Sequence, residues 1–441
     1  MSQTSRSALF LLIKSAFTGA LGGLLFGFDT AVIAGTTHAL TQQFTLSDAQ
    51  LGFTVAIALW GTVLGALVSG SIGQKIGSRA ALRWLGVLYI LSAIGCALAW
   101  SWQSFLVFRF ISGLGIGGSS VLGPVYIAEL APAKWRGRLV GLFQVNVVVG
   151  ILLAYLSNAI LAGLIHTGQL WRWELGIAAL PAVLFLIMLF LVPNSSRWLV
   201  SKNRVNEAML VLSRMGSPDS KAEVDAMALS LQEEGGAART SLFQKRYLFP
   251  IFLAVTVGLF NQMTGINAIL YYLNDIFGKL HPDRNAVLIG LANLVSTLFG
   301  LSIIDKFGRK KLLLVGGAGD ALCLAGVAWQ FYIGSTALLL PLLVGFIFFF
   351  ALSQGAVIWV YLSEVFPTNV RAKGQSLGSS AHWVMNAIVA QLFPILGRKS
   401  ASLPFTVFAV ATAIQFAVVL FVYPETKGYT LEDMQHHLGV H

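Results

Sequence analysis

The segment Glu129-Leu-Ala-Pro-Ala-Lys-Trp-Arg136 has a counterpart, Glu364-Val-Phe-Pro-Thr-Asn-Val-Arg371, in the second half of the chain. Glutamate, proline and arginine recur at a constant offset of 235 residues (364 − 129, 367 − 132 and 371 − 136). A second pair of segments, Gly73-Gln-Lys-Ile-Gly-Ser-Arg79 and Asp305-Lys-Phe-Gly-Arg-Lys310, aligns at 231 residues for the shared glycine (308 − 77). Two such matches predict a chain built from two similar halves.

The composition excludes an ordinary soluble domain. Of the 441 residues, 56% are hydrophobic and only 11% are charged, whereas soluble domains carry about a quarter charged residues. A helix needs roughly 20 apolar residues to cross the hydrocarbon of a bilayer, so the chain has room for twelve crossings. We therefore expect an all-α integral membrane protein, with the lipid bilayer as its surrounding partner.

Twelve apolar segments form two groups of six, separated by a polar interval. They are residues 10–34, 51–72, 84–100, 105–127, 139–165, 175–192, 248–277, 286–304, 312–333, 337–361, 376–396 and 403–423. The predicted domains are a six-helix bundle, a helical linker, a second six-helix bundle and a tail, at residues 1–200, 201–247, 248–424 and 425–441. A solvated linker without stable helices is the alternative for the polar interval. Two related halves predict a binding site at their interface, near the bilayer midplane.

The basic residues predict the orientation of the chain. The short loops on one side carry the denser set, Lys75, Arg79, Lys134, Arg136, Arg138, Lys306, Arg309, Lys310, Lys311, Arg371 and Lys373. The loops on the other side carry Arg172, Lys279, Arg284, Arg398 and Lys399. Cytoplasmic loops are enriched in Lys and Arg, so both termini and the linker are expected in the cytoplasm. The same rule accounts for the net charge of +11, so no nucleic-acid partner is expected. The short external loops favour a bacterial inner membrane.

Four motifs, in order, resemble the sugar porter family of the major facilitator superfamily. They are Gly22-Gly-Leu-Leu-Phe-Gly-Phe-Asp29, Pro124-Val-Tyr-Ile-Ala-Glu-Leu-Ala-Pro-Ala-Lys-Trp-Arg-Gly137, Gln262-Met-Thr-Gly-Ile-Asn-Ala-Ile-Leu-Tyr-Tyr272 and Pro424-Glu-Thr-Lys-Gly428. The resemblance runs from Gly19 to about Thr430. It implies the twelve-helix major facilitator fold and alternating-access transport of a hexose or pentose, together with a proton. It also implies a protein that works as a monomer, is not an enzyme and needs no cofactor or metal.

Three positions depart from the family pattern. Asn194 stands where the family usually has glutamate after the sixth helix, and Gln74 replaces the acidic residue of the first-half loop motif. Asn261 replaces the first of two glutamines that often begin the seventh-helix motif. The first two changes are expected to weaken a cytoplasmic charge network, and the third affects the expected sugar site.

Side-chain amides are the expected sugar ligands, because they donate and accept hydrogen bonds at once and a sugar carries many hydroxyls. Amides deep in apolar segments match the family's sugar-contact positions, and they are Gln144, Asn261, Gln262, Asn267, Asn293 and Asn386. Trp359 matches the family's sugar-stacking tryptophan, and His382 stands where relatives often have an amide. Polar groups buried in hydrocarbon are costly unless paired. Hydrogen bonds between helices, without ligand contact, are the alternative role for the amides and His382.

Two charges inside apolar segments are expected to pair. Asp29 in the first segment and Arg109 in the fourth each cost roughly 2.5–3.5 kcal/mol at mid-span. In the family, an acid at the position of Asp29 is typical of proton-coupled members. Pairing with Arg109 favours the carboxylate and separation favours the protonated acid, so a conformational change would load and release a proton. A purely structural ion pair is the alternative, and Asp320 in the ninth segment receives no role.

Gates are expected at both ends of the site. Gly265 is expected to let the seventh helix unwind, with Tyr271 and Tyr272 as an outer gate, although close helix packing at glycine is the alternative. Ser353-Gln-Gly355 is expected to act similarly in the tenth helix. The repeated loop motifs predict a cytoplasmic gate of charged residues, Glu129, Arg136, Arg79, Arg309, Glu364 and Arg371. Charges that only set the topology are the alternative.

Other functions remain as alternatives to proton symport. A facilitative uniporter would use the same sugar site. A transporter-like sugar sensor would have long cytoplasmic tails, which this chain lacks. A membrane enzyme acting on lipid-linked sugars would need a catalytic acid pair or metal cluster, which the sequence does not predict. The sequence also has no Walker-type loop, so transport driven by ATP is not expected.

Overall fold

The computed structural model describes residues 3–217, 219–237, 241–303, 306–367 and 370–427. Within these ranges the chain is helical and contains no strand, which confirms the all-α prediction. Asp305 and the predicted tail beyond residue 427 lie outside the described residues. The side chains of residues 3–6, 133–134, 233–237 and 372 are also outside them, so Lys134 is placed by its backbone alone.

The helices of the first half are α1 Gln3–Val32, α2 Thr37–Phe44, α3 Asp48–Ile76, α4 Ser78–Ala97, α5 Trp102–Leu130, α6 Ala133–Leu164, α7 Leu170–Gly176 and α8 Ala179–Phe190. Apolar segments form helices in a bilayer because a helix satisfies every backbone hydrogen bond within itself. Ser101 begins α5 with a capping box, in which its hydroxyl accepts from the backbone N–H of Ser104. Two free donors at the helix start are satisfied in this way.

The linker is helical, as predicted. It contains α10 Val205–Arg214 and α11 Ser220–Ala237, and α9 Ser196–Ser201 directly precedes them. Leu199, Ala208, Leu212 and Val224 form its apolar cluster.

The helices of the second half are α12 Leu248–Met263, α13 Ile266–Tyr271, α14 Leu273–Phe277, α15 Pro282–Ile303, α16 Arg309–Tyr332, α17 Leu339–Leu352, α18 Gln354–Glu364, α19 Arg371–Lys399 and α20 Leu403–Phe421. The seventh apolar segment is thus divided among α12, α13 and α14, and the tenth between α17 and α18. The sixth is divided between α7 and α8.

The described helices account for the predicted crossings. Eleven of them, some counted across a short break, are long and apolar enough to span a bilayer. The remaining predicted crossing lies in α19, which has 29 residues. Its low apolar character follows from polar side chains such as Ser379, His382 and Asn386 on an otherwise apolar helix. This helix carries two of the candidate sugar ligands.

One compact unit comprises Met1–Thr30, Gly61–Ala154 and Arg172–Arg239. Within it α4 packs against α5 and α8, around a core that includes Leu82, Tyr126 and Phe185. The helices α3 and α5 approach closely, since a Cβ at Gly117 would lie 2.1 Å from the carbonyl oxygen of Thr62. Small residues permit such approach between membrane helices.

The other compact unit comprises Ala31–Trp60, Tyr155–Trp171 and Thr240–His441. Its pairs α12–α19, α16–α20 and α16–α17 pack extensively, around a core that includes Leu253, Tyr361 and Tyr423. This division groups parts of α1, α3 and α6 with the second half of the chain. The four-part domain division stays a prediction.

Candidate substrate and proton sites

The break between α12 and α13 is built on one glycine. Gly265 has φ +80°, a left-handed conformation that costs side-chain-bearing residues about 1–2 kcal/mol. A Cβ at this position would lie 2.2 Å from the Phe408 ring. The seventh segment therefore turns at a position that requires glycine for both its backbone and its space.

Replacing Gly265 by alanine is expected to lower the thermal unfolding temperature of the detergent-solubilised protein, because the Cβ adds backbone strain and overlaps the Phe408 ring. Gly317→Ala is the matched control in the same unit, since its Cβ would have no neighbour closer than 3.9 Å. Equal melting of the two variants would contradict the role of Gly265 in the break.

Amides from α12 and α13 bind one another across the break. Asn267 Nδ2 donates to Gln262 Oε1 at 3.0 Å, and Gln262 Nε2 donates to Asn261 Oδ1 at 2.9 Å. Asn261 Nδ2 donates to the carbonyl oxygen of Gln354 at 3.3 Å, at the start of α18. The structure thus brings three of the predicted sugar ligands into one hydrogen-bonded cluster, which we call the amide cluster.

The helix α19 contributes a histidine to the amide cluster. Gln262 Nε2 lies 3.3 Å from His382 Nε2. Because an amide nitrogen only donates, the ring nitrogen must accept, which a neutral imidazole can do. The Trp359 ring centroid lies 5.3 Å from that of His382, and Trp359 is 41% exposed. An exposed aromatic side chain therefore lies beside a group of hydrogen-bonding side chains.

The two predicted gate tyrosines also contact α19. Asn386 Nδ2 donates to the Tyr271 hydroxyl at 3.1 Å. The Tyr272 hydroxyl donates to the Ala390 carbonyl oxygen at 3.0 Å, and its ring stacks on Phe393 with centroids 5.0 Å apart. Both tyrosines are buried. In this conformation the end of α13 and the following Tyr272 are held against α19 through the hydroxyl groups of the two tyrosines.

Two predicted ligands lie apart from the described contacts of the amide cluster. Asn293 is half-buried on α15, where its Oδ1 accepts from Thr297 on the same helix at 3.4 Å. Gln144 is half-buried on α6 and belongs to the first compact unit. Their contact with a sugar stays a prediction.

Two amides that the sequence interpretation left out of the sugar ligands extend the amide cluster. Gln354 Nε2 donates to Gln415 Oε1 at 2.8 Å, and both side chains are buried. This bond joins the start of α18 to α20. The available signal was the single amide in the apolar segment 403–423. The helix α17 ends at the unusual backbone of Ser353, with φ −110° and ψ −89°, at the predicted break in the tenth segment.

Asp29 and Arg109 form the expected ion pair in the first compact unit. Arg109 Nη1 lies 3.1 Å from Asp29 Oδ2, and the two side chains are 3% and 12% exposed, respectively. The Ser112 hydroxyl, one turn along α5, also donates to Asp29 Oδ2. Nothing in the sequence motif singled out Ser112. A carboxylate buried in this way is stabilised by one cation and one hydroxyl.

Comparison with known proteins identifies the family. The model of the family "Sugar (and other) transporter" matches residues 15–438. The chain belongs to this sugar transporter family.

Relatives of the sugar transporter family match over nearly the full chain. The arabinose-proton symporter of Bacillus subtilis is 33% identical, over 98% of this chain and 96% of the relative. The D-xylose-proton symporter of Escherichia coli is also 33% identical, over 96% of this chain and 95% of the relative. The inward-open structure of the xylose transporter XylE from E. coli superposes with a TM-score of 0.87 at 30% identity, covering 97% of this chain and 99% of that chain. The protein is therefore a multi-pass membrane transporter with the major facilitator fold, not an enzyme.

The loop motif of this transporter's second half forms a charge cluster. Arg309 contacts Glu364 through two hydrogen bonds of 2.9 and 3.2 Å, and Thr426 donates to Glu364 at 2.6 Å. Glu425 accepts the backbone N–H groups of Arg309 and Lys310 at the start of α16, at 2.7 and 3.1 Å. Glu425 of the C-terminal motif thus binds the start of α16, where the helix dipole stabilises an acidic group.

Replacing Glu364 by glutamine is expected to destabilise the transporter more than removal of an exposed ion pair. Hydrogen bonds to charged groups contribute about 1.5–3 kcal/mol, and the Arg309 and Glu364 side chains are 11% and 25% exposed. Glu207→Gln is the control, because the Glu207 and Arg204 side chains of its ion pair are 53% and 43% exposed and exposed pairs contribute little to stability. Thermal unfolding measures both. Equal shifts would mean that the second-half cluster contributes no more than a surface pair.

The loop motif of the first half has a different arrangement. Ser78 donates to Glu129 at 3.2 Å, and Arg79 donates to the Val192 carbonyl oxygen at 2.7 Å. Glu129, Arg136 and Arg197 line a cavity of about 300 Å³, together with Met227 of the linker. In the second half, Arg371 donates to the Phe366 carbonyl oxygen at 3.3 Å. Among the six predicted gate residues, Arg309 and Glu364 are thus paired with each other, while the gating role of all six stays a prediction.

Proposed function

We propose that this transporter carries a monosaccharide, a hexose or pentose, together with a proton by alternating access. The observation that carries the proposal is the Asp29–Arg109 ion pair, buried in the first unit of a sugar transporter whose second unit contains the amide cluster. Relatives that match nearly the whole chain are named arabinose-proton and D-xylose-proton symporters. The family membership accounts for the sugar, and the buried acid accounts for the proton.

The amide cluster supports binding of a neutral sugar. Its members already hydrogen-bond to one another. When a sugar binds, the amides would exchange these bonds for bonds to the sugar hydroxyls, and no polar group would be left unpaired. The open face of Trp359 would contact the C–H side of the ring. The contribution of each residue, with Gln144 and Asn293 included, is part of the proposal.

The proton step follows from the two charges in the first unit. While Arg109 holds Asp29, the carboxylate is stabilised. A movement between α1 and α5 that separates the pair would leave an anion in a low-dielectric site, which favours uptake of a proton. Asp29 would take up a proton from one side of the membrane. It would release that proton to the other side when it pairs with Arg109 again, and this would couple the proton gradient to sugar transport.

The gates complete the alternating-access cycle. Tyr271 and Tyr272 would move with α13 about Gly265 and open the outer side of the site. The charged residues of the two loop motifs would close the cytoplasmic side. Both termini and the linker are cytoplasmic in this proposal, because the denser set of basic residues marks that side. We further propose that the protein is a monomer in a bacterial inner membrane.

Sugar uptake into proteoliposomes tests the function. Vesicles containing the purified protein are prepared without internal sugar. Uptake of a panel of radiolabelled pentoses and hexoses is then measured with and without an inwardly directed proton gradient. At least one sugar is expected to accumulate above its external concentration only when the gradient is present. Equilibration to equal concentrations, unaffected by the gradient, would instead make the protein a facilitative uniporter.

A further inference from the structure

The helix α16 contains a buried acid that the proposed sugar and proton steps do not use. Asp320 has no exposed surface. Neither of its carboxyl oxygens has a hydrogen-bond partner among the described residues. An ionised carboxylate without a partner is far more costly to bury than a neutral acid. Whether Asp320 is ionised or neutral therefore depends on the groups that surround it.

No cation is available from the helices that pack most extensively against α16. The helices α17 and α20 contain no ionisable side chain, and α18 contains only Tyr361 and Glu364 near its end. Tyr361 donates to the Pro424 carbonyl oxygen and Glu364 pairs with Arg309. On α16 itself, the ionisable group nearest in sequence is the half-buried thiol of Cys323.

The turn that carries Asp320 is closely packed against α17 and makes only ordinary contact with α20. A Cβ at Gly319 would lie 2.2 Å from the Phe349 ring on α17, and one at Gly317 would lie 3.9 Å from Phe416 on α20. A Cβ at Gly316, one turn before Asp320, would lie 1.9 Å from the Ser353 hydroxyl. Ser353 is the point at which α17 ends and α18 begins. The break in the tenth segment therefore lies against the turn of α16 next to Asp320.

We propose that Asp320 is a second proton-binding carboxyl group, neutral in this conformation, whose proton exchanges with water when the helices rearrange at Ser353. The proton adds to the carboxylate oxygen from water and returns to water, so no other reactant is needed. Its packing partners differ from those of Asp29, which lies in the other compact unit. This inference extends the proposed function but concerns a different group, and Asp29 remains the residue that couples transport to the gradient.

Infrared spectroscopy of the reconstituted protein tests the protonation directly. Wild type is expected to show the carbonyl stretch of a protonated, non-hydrogen-bonded carboxyl group at a neutral pH, at which ordinary carboxyl groups are ionised. Asp320→Asn should remove the band. Asp29→Asn and the control Asp48→Asn, a half-buried acid paired with Arg398, should retain it. Absence of the band in wild type, or its persistence in Asp320→Asn, would overturn the proposal.

Deuterium exchange tests the second part of the proposal. Transfer of wild type into D₂O is expected to shift the band slowly without sugar and several-fold faster when a transported sugar is added. An unchanged rate would leave Asp320 as a structural acid only and would overturn the exchange. The band is assigned without any transport measurement, so failure of this inference is distinguishable from failure of the symport proposal. If Asp320→Asn does not fold, Asp320→Leu replaces it in the band assignment.

Discussion

Replacing Asp29 by asparagine is expected to abolish accumulation of sugar against a gradient while leaving sugar binding intact. The asparagine keeps the shape and a hydrogen-bonding group for Ser112, but it removes the titratable charge. Sugar binding should persist because the amide cluster lies on α12, α13 and α19 and is untouched. Exchange of labelled sugar down its gradient should also persist, at a reduced rate, since Arg109 would be a buried charge without its partner.

The measurement is uptake driven by a proton gradient, compared with counterflow in the same vesicles. Ser112→Ala is the matched control, because it removes a hydrogen bond to Asp29 and leaves the acid in place. This control should retain accumulation. Truncation of Arg109 should impair both assays, since the remaining acid would hold its proton and release it poorly. If Asp29→Asn still concentrated sugar, another group would carry the proton, and Asp320 would be the first to test.

Replacing Gln262 by alanine is expected to lower sugar affinity about tenfold or more. Gln262 is the centre of the amide cluster, with contacts to Asn261, Asn267 and His382. Its loss removes a hydrogen bond to the ligand and leaves its partners without one, a cost of about 1–3 kcal/mol. Calorimetric titration with the transported sugar measures the change.

A second glutamine distinguishes loss of the site from loss of stability. Gln330 is also buried in the second unit, where its Oε1 accepts the backbone N–H of Leu338 at 3.3 Å. Gln330→Ala should lower the unfolding temperature and leave the sugar affinity unchanged. If Gln262→Ala folds and binds sugar as tightly as wild type, the sugar site is not at the amide cluster.

The crossings were predictable because each depends on its own residues. A run of about 20 apolar residues favours a membrane helix whatever its neighbours are. The helix α19 is the exception, because it is long enough to cross the bilayer but less apolar than the other predicted crossings. His382 and Asn386 lower its apolar character. The glycine at 265 permitted a break but fitted close helix packing as well, and the break is shown by its backbone conformation, with φ +80°.

The contacts of the sites were predictable only where two groups had no other way to be buried. Asp29 and Arg109 are the two charges deep in the first group of apolar segments, so their pairing followed from their cost. By contrast, Gln354 and Gln415 form a buried bond that no spacing in the sequence indicated, and Asn293 accepts from its own helix. An amide in an apolar helix has several partners available to it, and sequence alone does not choose among them.

The sequence by itself predicted the all-α membrane fold and the two related halves, and it favoured a helical linker and a break at Gly265 without excluding their alternatives. These follow from hydrophobicity and backbone hydrogen bonding, which act over neighbouring residues in the chain. Only the tertiary structure decided that Asn267 reaches Gln262 across the break, that Tyr271 contacts Asn386 on α19, and that Asp320 has no partner among the described residues. Side-chain contacts between membrane helices depend on the rotation and depth of each helix, and these are set by packing against its neighbours.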